Sequence, residues 1–394
     1  MSRPEPQPES RAQSRAESRR ARLDWREIAK WALLGTIVIS VWVLFDVERS
    51  GRNALNFIQP GERGPSVTAF HQDFPTTELP NGLGLDGQQF YVIARNPFHP
   101  TQVAPLLDRP RYRLQRPLLP LLAWALHPTG GGYGLVWAFV AIGILAIFVG
   151  SLATGALAVL LGGRPWLALV FAITPGAWFS LRASVADALA LALAIAALAL
   201  AHRERWLPAV VCGVAAVLAK EVIIVVLAGW VLWRWLSTRS RQALLLVAVP
   251  AAVAAAWFIA LRIMLPGHEQ IGELVAPLVG WRDAWLDRWS SGQELVGMAA
   301  AIGSVAVGIA ALVRRGVSHP LGWAIAFNLV LAALENGDVI GNNYGSTRAL
   351  MPVLVLGLVA FFTPGQPVRV ETSPEQIPTG LVGPGLGSIG ASNR

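Results

Sequence analysis

The sequence predicts an all-α fold, a polytopic bundle of transmembrane helices with one long loop outside the bilayer. Three observations predict it. Of the 394 residues, 54% are hydrophobic and 14% are charged, whereas soluble domains contain about 25% charged residues. Apolar runs of about 15–25 residues, long enough to cross the hydrocarbon core as helices, recur along the chain. Arginines fall in alternate connections between these runs, as the positive-inside rule predicts for cytoplasmic loops.

Both ends of the chain are polar. Residues 1–26 are rich in Arg, Ser, Glu and Pro, and residues 364–394 are rich in Gly, Pro and Ser, so we expect two disordered tails. The membrane domain is then 27–363. Its first span is predicted at 28–45. Because Asp46-Val-Glu-Arg follows this span instead of a small-residue cleavage motif, we expect an uncleaved anchor.

A long polar loop with a short apolar piece follows the first span, and further spans follow the loop. The spans are predicted at roughly 133–161, 165–181, 184–202, 205–219, 222–237, 242–264, 295–313, 319–334 and 347–363. Placing the basic connections in the cytoplasm gives about ten spans with both termini cytoplasmic. The loop at 46–131 then lies outside. Its apolar piece at 117–127 is too short to cross, so we expect a re-entrant segment buried against protein.

Composition also bears on partners and metals. The net charge is +8, but the basic residues lie mostly in short connections between spans, so we expect contact with the lipid bilayer and no nucleic acid. The single cysteine, Cys212, excludes an intramolecular disulfide and a cysteine-rich metal site. The six histidines show no metal-ligand spacing. We therefore expect neither a metal nor a cofactor.

The loop carries a polar segment at 86–95 that reads as a short helix. Asp86-Gly87 is typical of a turn, and Asp86 is a good N-cap for a helix over Gln88 onward. A carboxylate at the membrane surface is also suited to removing a proton from an attacking hydroxyl. Both interpretations of Asp86 stay open. Tyr91 belongs to the apolar face that this helix lays on the bilayer or the bundle.

Basic residues follow in the same loop. Arg111, Arg113 and Arg116 stand just before the apolar piece at 117–127. Arginines in this position snorkel to lipid phosphates. They are equally suited to hold a substrate phosphate through bidentate contacts. The sequence favours neither interpretation.

Ionisable residues also stand at the ends of later spans. Arg182 precedes Ser184-Val-Ala-Asp187, whose spacing resembles a capping box with Asp in place of Glu. Lys220-Glu221 lies between two apolar runs. An ionisable pair at that depth is a functional candidate, and mutual neutralisation is the alternative.

Two features lie nearer the C-terminus. A polar string that contains Asn343 leads to Arg348 at the start of the last span. Three tryptophans spaced four apart would form one face of a helix, which either anchors at the membrane interface or stacks on a sugar. They are Trp281, Trp285 and Trp289.

The motifs together resemble a known family. Asp86-Gly-Gln-x-Phe-Tyr, then Ala-Arg-Asn-Pro-Phe, then Tyr112-Arg-x-Gln-Arg-x-Leu-x-Pro-Leu-Leu-Ala-Trp are similar to bacterial membrane glycosyltransferases of the GT-C type. The resemblance continues through Thr174-Pro-Gly, Ser-Leu-Arg182 and Leu-Ala-Lys-Glu221, and covers roughly 80–225. The chain has Asn96 where the family often has an acidic residue.

This resemblance implies a bacterial cytoplasmic-membrane enzyme that transfers a sugar from a polyprenyl-phosphate donor to a hydroxyl of a glycolipid or glycan acceptor, with inversion, at the outer face. Asp86 matches the family's acidic residue in the first outer loop and would be the base. Fixed cations would stabilise the phosphate leaving group. The donor-phosphate candidates are Arg182, Lys220 and Arg348, supported by Arg113 and Arg116; the substrate-binding candidates are Tyr91, Glu221, Asp187 and Asn343.

Two other functions compete with this one. A transporter or lipid-flipping protein would show paired repeats and spans broken at the bilayer midplane, and we find no clear repeat. A non-catalytic membrane scaffold would not require Asp86, Lys220 and Arg348 to converge.

Overall fold

The structure is a computed structural model that describes residues 23–267, 274–290 and 292–364. Over these residues the chain consists of helices and loops, without a β-strand and with one isolated bridge between Leu274 and Glu335. The predicted all-α class is confirmed. The tails predicted at 1–26 and 364–394 fall outside the described residues, except for 23–26 and 364.

The helices are numbered here in chain order. They are α1 (Trp25–Arg49), α2 (Val67–Asp73), α3 (Asp86–Arg95), α4 (Pro100–Val103), α5 (Pro110–Leu114), α6 (Leu118–Leu126), α7 (Gly132–Leu160), α8 (Leu169–Ile173), α9 (Pro175–Arg182), α10 (Asp187–His202), α11 (Trp206–Ala219), α12 (Ile224–Thr238), α13 (Arg241–Met264), α14 (Val279–Asp283), α15 (Gly292–Arg315), α16 (Gly322–Leu334), α17 (Gly337–Ile340), α18 (Asn343–Ala349) and α19 (Met351–Phe362). Short 3-10 turns precede α8 and α12, at Pro165–Ala168 and Glu221–Ile223.

Five helical stretches are long and apolar enough to cross a membrane. They are α1, α7, α12 with its preceding turn, α13 and α15. The bent pair α18 and α19 makes a sixth if it counts as one span. Helices α10, α11 and α16 are apolar but have 16, 14 and 13 residues, fewer than the about 20 that span the core untilted. The total of about ten spans therefore stays a prediction.

Two of the predicted spans are broken. The span predicted at 165–181 is wrong as one helix, because Thr174 adopts an extended conformation and α9 starts at Pro175. Proline disfavours the helical conformation in the residue before it, so the helix ends there. The span predicted at 347–363 bends by 44° between α18 and α19.

Small residues bring α10 close to its neighbours. Ala190, Ala194, Ala197 and Ala201 of this helix are fully buried, and small side chains allow membrane helices to approach closely. Because α10 and α11 follow each other through a short connection, the first residue of α10 and the residues after α11 lie at the same end of the bundle.

The loop between α1 and α7 folds as a compact cap. Tyr91 of α3 is fully buried and stacks on Phe70 of α2 at 4.8 Å between ring centroids. The backbone of α3 also approaches the bundle closely at Gly87, where an added Cβ would lie 2.2 Å from the carbonyl oxygen of Ala183. Only glycine fits at that position, and α3 is thereby fixed against the end of α9.

Candidate functional site

The carboxylate of Asp86 bonds to an arginine from another part of the loop. The N-cap of α3 is Leu85, and Asp86 is the first helical residue, so the predicted N-cap role of Asp86 is wrong. The Asp86 Oδ1 atom instead accepts a 2.7 Å hydrogen bond from Nη1 of Arg113. Nη1 of Arg348 lies 3.6 Å from Asp86 Oδ2. The carboxylate thus faces two arginines from distant parts of the chain.

A second carboxylate fixes Arg113. Arg113 Nε donates to Asp108 Oδ1 and its Nη2 donates to Asp108 Oδ2, both at 2.8 Å. The guanidinium is a planar fork, so this bidentate contact fixes its orientation. Arg113 is therefore held between Asp108 and Asp86, with its side chain only 9% exposed. Asp108 was not among the residues predicted from the sequence, since nothing in its spacing from Arg113 distinguishes it from other acidic residues of the loop.

Arg116 joins the loop to the start of α12. Its Nε and Nη2 atoms donate to the two oxygens of Glu221 at 2.8 and 2.6 Å. Nη2 also donates to the Tyr112 hydroxyl at 3.0 Å, and the guanidinium carbon lies 4.5 Å from the Tyr112 ring centroid. The Arg116 side chain is largely buried, at 9% exposed, and that of Glu221 is 21% exposed.

The predicted capping box at Ser184 is also wrong. The helix α10 starts only at Asp187, Ala186 is its N-cap, and Ser184 has a left-handed backbone with φ of 48°. The Asp187 carboxylate instead pairs with Nζ of Lys220 and lies 3.6 Å from Nη1 of Arg348. Lys220 and Glu221 therefore pair with different partners, Asp187 and Arg116, so the predicted mutual neutralisation of the two is replaced by two longer-range pairs.

Two sets of ion pairs together make up the acid–arginine cluster. One set runs from Asp108 to Lys220 through shared partners, and the other is the pair Arg116–Glu221, whose Glu221 follows Lys220 in the chain. The cluster contains four carboxylates and four cations, so its formal charges cancel. Its members are Asp86, Asp108, Asp187, Glu221, Arg113, Arg116, Lys220 and Arg348. The cations differ in how tightly they are held: Arg348 reaches its two carboxylates only at 3.6 Å, beyond hydrogen-bonding range.

Two cavities meet at the cluster. The polar cavity has a volume of about 670 Å³ and is lined by Asp86, Arg113, Arg348, Tyr112 and Asn342 among others. Its volume is within the range of about 300–1,000 Å³ typical of ligand sites. On this side the walls come from the loop and from α17 and α18.

The mixed cavity, of about 310 Å³, combines apolar walls with the remaining charges. Phe90, Leu191 and Phe258 line it together with Lys220 and Glu221. Asp86 and Arg348 line this cavity as well as the polar one. The carboxylate and the most loosely held cation therefore stand at the junction between a polar and a largely apolar compartment.

The electrostatics of Asp86 follow from these neighbours. Removal from water raises the pKa of its carboxyl group, but the charges of Arg113, Arg348 and Arg116 together lower that pKa by more. The net effect holds the pKa of Asp86 well below its ordinary range. Asp86 is therefore an ionised carboxylate at neutral pH, able to accept a proton but weakly basic while its arginines are in place.

Three predicted site residues lie elsewhere. Arg182 pairs with Asp46 at 3.1 Å, donates to a backbone carbonyl of the loop and lines neither cavity. Tyr91 donates a 2.6 Å hydrogen bond to Asp73 within the loop. Asn343 accepts a 2.8 Å bond from the backbone of Tyr344 and is absent from the walls of both cavities.

The structure adds residues that sequence reasoning did not single out. Tyr112 contacts Arg116 and lines both cavities. Asn342 lines the polar cavity and caps α18 by accepting from Tyr344 and Gly345. The polar string in the sequence could have indicated Asn342, but its neighbour Asn343 was the residue predicted to bind substrate.

The tryptophan triplet forms edge-to-face contacts beside the site. Trp289 lies 6.1 Å from Trp281 and 6.3 Å from Trp285 between ring centroids. The helix is not continuous here, since α14 passes into a π-helical turn at Ala284–Arg288. The triplet lines neither of the two cavities.

Within the described part of the chain, no three His, Cys, Asp or Glu side chains come together as metal ligands would. The chain matches no protein-family model, and no curated protein or solved structure matches it at a significant level.

Proposed function

We propose that this chain is a GT-C type glycosyltransferase, which transfers a sugar from a polyprenyl-phosphate donor to an acceptor hydroxyl at the outer face of a bacterial cytoplasmic membrane, with inversion. The observation that carries the proposal is the position of Asp86, at the junction of a polar and a mixed cavity and opposite Arg348. The motifs at 86–124 and the apolar helices support the same reading.

The two cavities suit the two substrates. A lipid-linked donor combines a phosphate with an isoprenoid chain, and the mixed cavity combines cations with apolar walls such as Phe258. A hydrophilic acceptor suits the polar cavity, whose lining includes Asn342 and Asp338. The reacting atoms then meet where Asp86 and Arg348 stand.

The chemical step is an in-line displacement. The acceptor oxygen forms a bond to the anomeric carbon, the bond from that carbon to the phosphate oxygen breaks, and the hydroxyl proton passes to the Asp86 carboxylate. The leaving polyprenyl phosphate keeps the bonding electron pair and gains negative charge. A cation placed where this charge develops stabilises the transition state.

Arg348 is the cation best placed for the donor phosphate. Arg113 and Arg116 each make bidentate contacts to a carboxylate, and Lys220 pairs tightly with Asp187. Arg348 has both of its carboxylates at 3.6 Å, so an anion displaces the least by binding there. Among the five candidate cations we assign Arg348 the primary role, and Arg182 none at this site.

Donor binding would also activate the base. Arg348 is one of the charges that lower the pKa of Asp86. A phosphate bound to Arg348 offsets that positive charge and so raises the pKa of Asp86 toward its ordinary range. The carboxylate becomes a stronger base only when the donor is in place.

Substitution of Asp86 tests the proposal. We expect Asp86→Asn to lower the transfer of labelled sugar from polyprenyl phosphate in membranes by about 10²–10⁴-fold, the contribution of a general base. Asp283→Asn is the matched control, since Asp283 pairs with its neighbour Arg282 and, among the described residues, lines neither cavity. Undiminished transfer by Asp86→Asn would rule out Asp86 as the base.

A transporter or lipid-flipping protein is the second candidate. The helix break at Thr174 and the 44° bend between α18 and α19 favour it, because broken helices beside an ion-paired site are typical of transporters. An assay of the parent protein in lipid vesicles separates the two functions. If purified protein in lipid vesicles moves a labelled polyprenyl-phosphate sugar across the bilayer but forms no new glycosidic bond, the protein is a transporter and the glycosyltransferase proposal is rejected.

A further inference from the structure

A third cavity, the loop cleft, adjoins the polar cavity at Tyr344. It has a volume of about 450 Å³ and is lined by Gln59, Asn56, Thr77 and Arg182 among others. Leu85 and Tyr344 line both the loop cleft and the polar cavity. The two compartments therefore share a wall directly beside Asp86.

The walls of the loop cleft are preformed. Two stretches of loop backbone run side by side, with hydrogen bonds from Glu62 N to Pro80 O at 3.0 Å and from Arg63 N to Gly82 O at 2.8 Å. The approach is so close that a Cβ on Gly61 would lie 2.3 Å from Gly82 O. A cleft held by backbone pairing needs little ordering when a ligand binds.

The cleft suits a neutral ligand. Arg182, which lines the cleft, already pairs with Asp46 at 3.1 Å and donates a hydrogen bond to the backbone carbonyl of Asn56. The remaining polar groups are mostly amides and hydroxyls, and Gln59 Nε2 lies 3.3 Å from the Tyr344 hydroxyl. Such groups form hydrogen bonds with sugar hydroxyls. The carboxylate of Glu78, which also lines the cleft, would repel a phosphate.

We infer that the loop cleft binds a neutral sugar unit of the acceptor, next to the unit whose hydroxyl attacks at Asp86. The inference rests on the proposed function and deepens it: the acceptor is an oligosaccharide or a glycan chain of at least two sugar units. Tyr344 is then the divider between the two units, and Arg182 contributes as part of the cleft wall.

The test uses a bulky residue in the cleft and the same change one position away. Thr77 lines the cleft, whereas the adjacent Thr76 is exposed and outside its walls. Binding to the detergent-purified full chain is measured without donor, with methyl glycosides of mannose, glucose, galactose and arabinose and with the matching disaccharides. Transfer to the same acceptors is measured separately.

We expect at least one disaccharide to bind the parent chain about tenfold more tightly than its monosaccharide, as one or two added hydrogen bonds would give. Thr77→Trp should abolish this difference and leave monosaccharide binding unchanged, and Thr76→Trp should change neither. The inference is overturned if no disaccharide binds more tightly than its monosaccharide, or if Thr77→Trp leaves the difference intact. If sugar binding follows this pattern but no transfer is measured, the proposed enzyme activity is rejected and the sugar site in the loop cleft is kept.

Discussion

Arg348 differs from the other cations of the cluster in having no carboxylate of the described residues within hydrogen-bonding distance. Its Nε atom donates instead to the backbone carbonyl of Tyr344 at 2.7 Å, within α18. That bond directs the guanidinium between Asp86 and Asp187 while leaving Nη1 at 3.6 Å from both. A cation held in place by the backbone is available to an anionic ligand without breaking a strong ion pair.

The pH dependence of transfer should reveal this arrangement. In the parent chain the pKa of Asp86 lies below its ordinary range. We therefore expect kcat/KM, which reports ionisations of the free enzyme, to stay constant as the pH falls from neutral to the pKa of an ordinary carboxyl group. Arg348→Gln removes a positive charge, raises the pKa of Asp86 and should move the acid limb to higher pH. It should also raise the KM for the donor.

The comparison variant for this prediction is Arg182→Gln, which removes an arginine outside the cluster. Its acid limb should coincide with that of the parent. An unshifted acid limb in Arg348→Gln would show that Arg348 does not act on Asp86.

Tyr91 has a structural role in the fold, whereas the sequence suggested substrate binding. Its hydroxyl donates to Asp73, and Asp73 is paired with Arg95 at 2.9 Å as well. Tyr91→Phe should therefore lower stability by about 1 kcal/mol, the net value of one hydrogen bond, and leave the KM values for both substrates unchanged. Thermal unfolding in detergent and transfer kinetics check the two halves. A raised KM with unchanged stability would instead support the predicted role of Tyr91 in substrate binding.

Seven of the eight charged residues of the cluster were predicted from the sequence, all but Asp108, whereas their pairing was not. Asp86, Arg113, Arg116 and Glu221 stand out because ionisable groups are rare in so apolar a chain. Their partners are far away in the chain, 105 residues apart in the pair Arg116–Glu221 and further still in the pair Asp86–Arg348, and no local pattern encodes such distances. Arg182 resembled a site residue for the same reason, and only the fold reveals its separate partner, Asp46.

At the scale of elements, the position of α3 depends on one close backbone contact. A Cβ on Gly87 would lie 2.2 Å from Ala183 O and 2.8 Å from Ile58 O. Since backbone atoms cannot yield as a flexible side chain does, Gly87→Ala must displace α3, and with it Asp86. We expect a loss of about 1–3 kcal/mol of stability, as overpacking costs, together with a large loss of transfer.

Gly82→Ala in the same loop is the control, because a Cβ there meets nothing within 4 Å. Its stability should stay within about 0.5 kcal/mol of the parent. Equal stability of the two alanine variants, measured by thermal unfolding, would contradict the close contact of α3 with α9.

Helix existence followed from the sequence more reliably than helix continuity. Hydropathy predicted apolar runs at the positions of α7 and α13, which are long and uninterrupted. Hydropathy could not locate the break before Pro175. It is averaged over a window of residues, and the apolar neighbours of Thr174 and Pro175 dominate that average. The apolar piece of the loop at 117–127 was predicted to be too short to cross the membrane, and α6 there is a helix of nine residues. Its re-entrant placement stays a prediction.

For the whole molecule, orientation in the membrane is the property that the arginine pattern predicts and labelling can measure. In a Cys212→Ala background, Thr76→Cys and Arg203→Cys each provide one thiol at an exposed position. A membrane-impermeant maleimide should label the first in intact cells and the second only after permeabilisation. The opposite pattern would place the acid–arginine cluster on the cytoplasmic side and reject a reaction at the outer face.

The distribution of the cluster along the chain has a consequence for biosynthesis. The four carboxylates and three of the cations lie before residue 222, whereas Arg348 lies in α18, near the C-terminal end of the described chain. Membrane insertion proceeds from the N-terminus, so the nascent protein holds one more acid than cation at this site until its last helices are in place. An interrupted chain would retain an uncompensated carboxylate within the bundle, which gives quality-control proteases a physical difference between finished and unfinished copies.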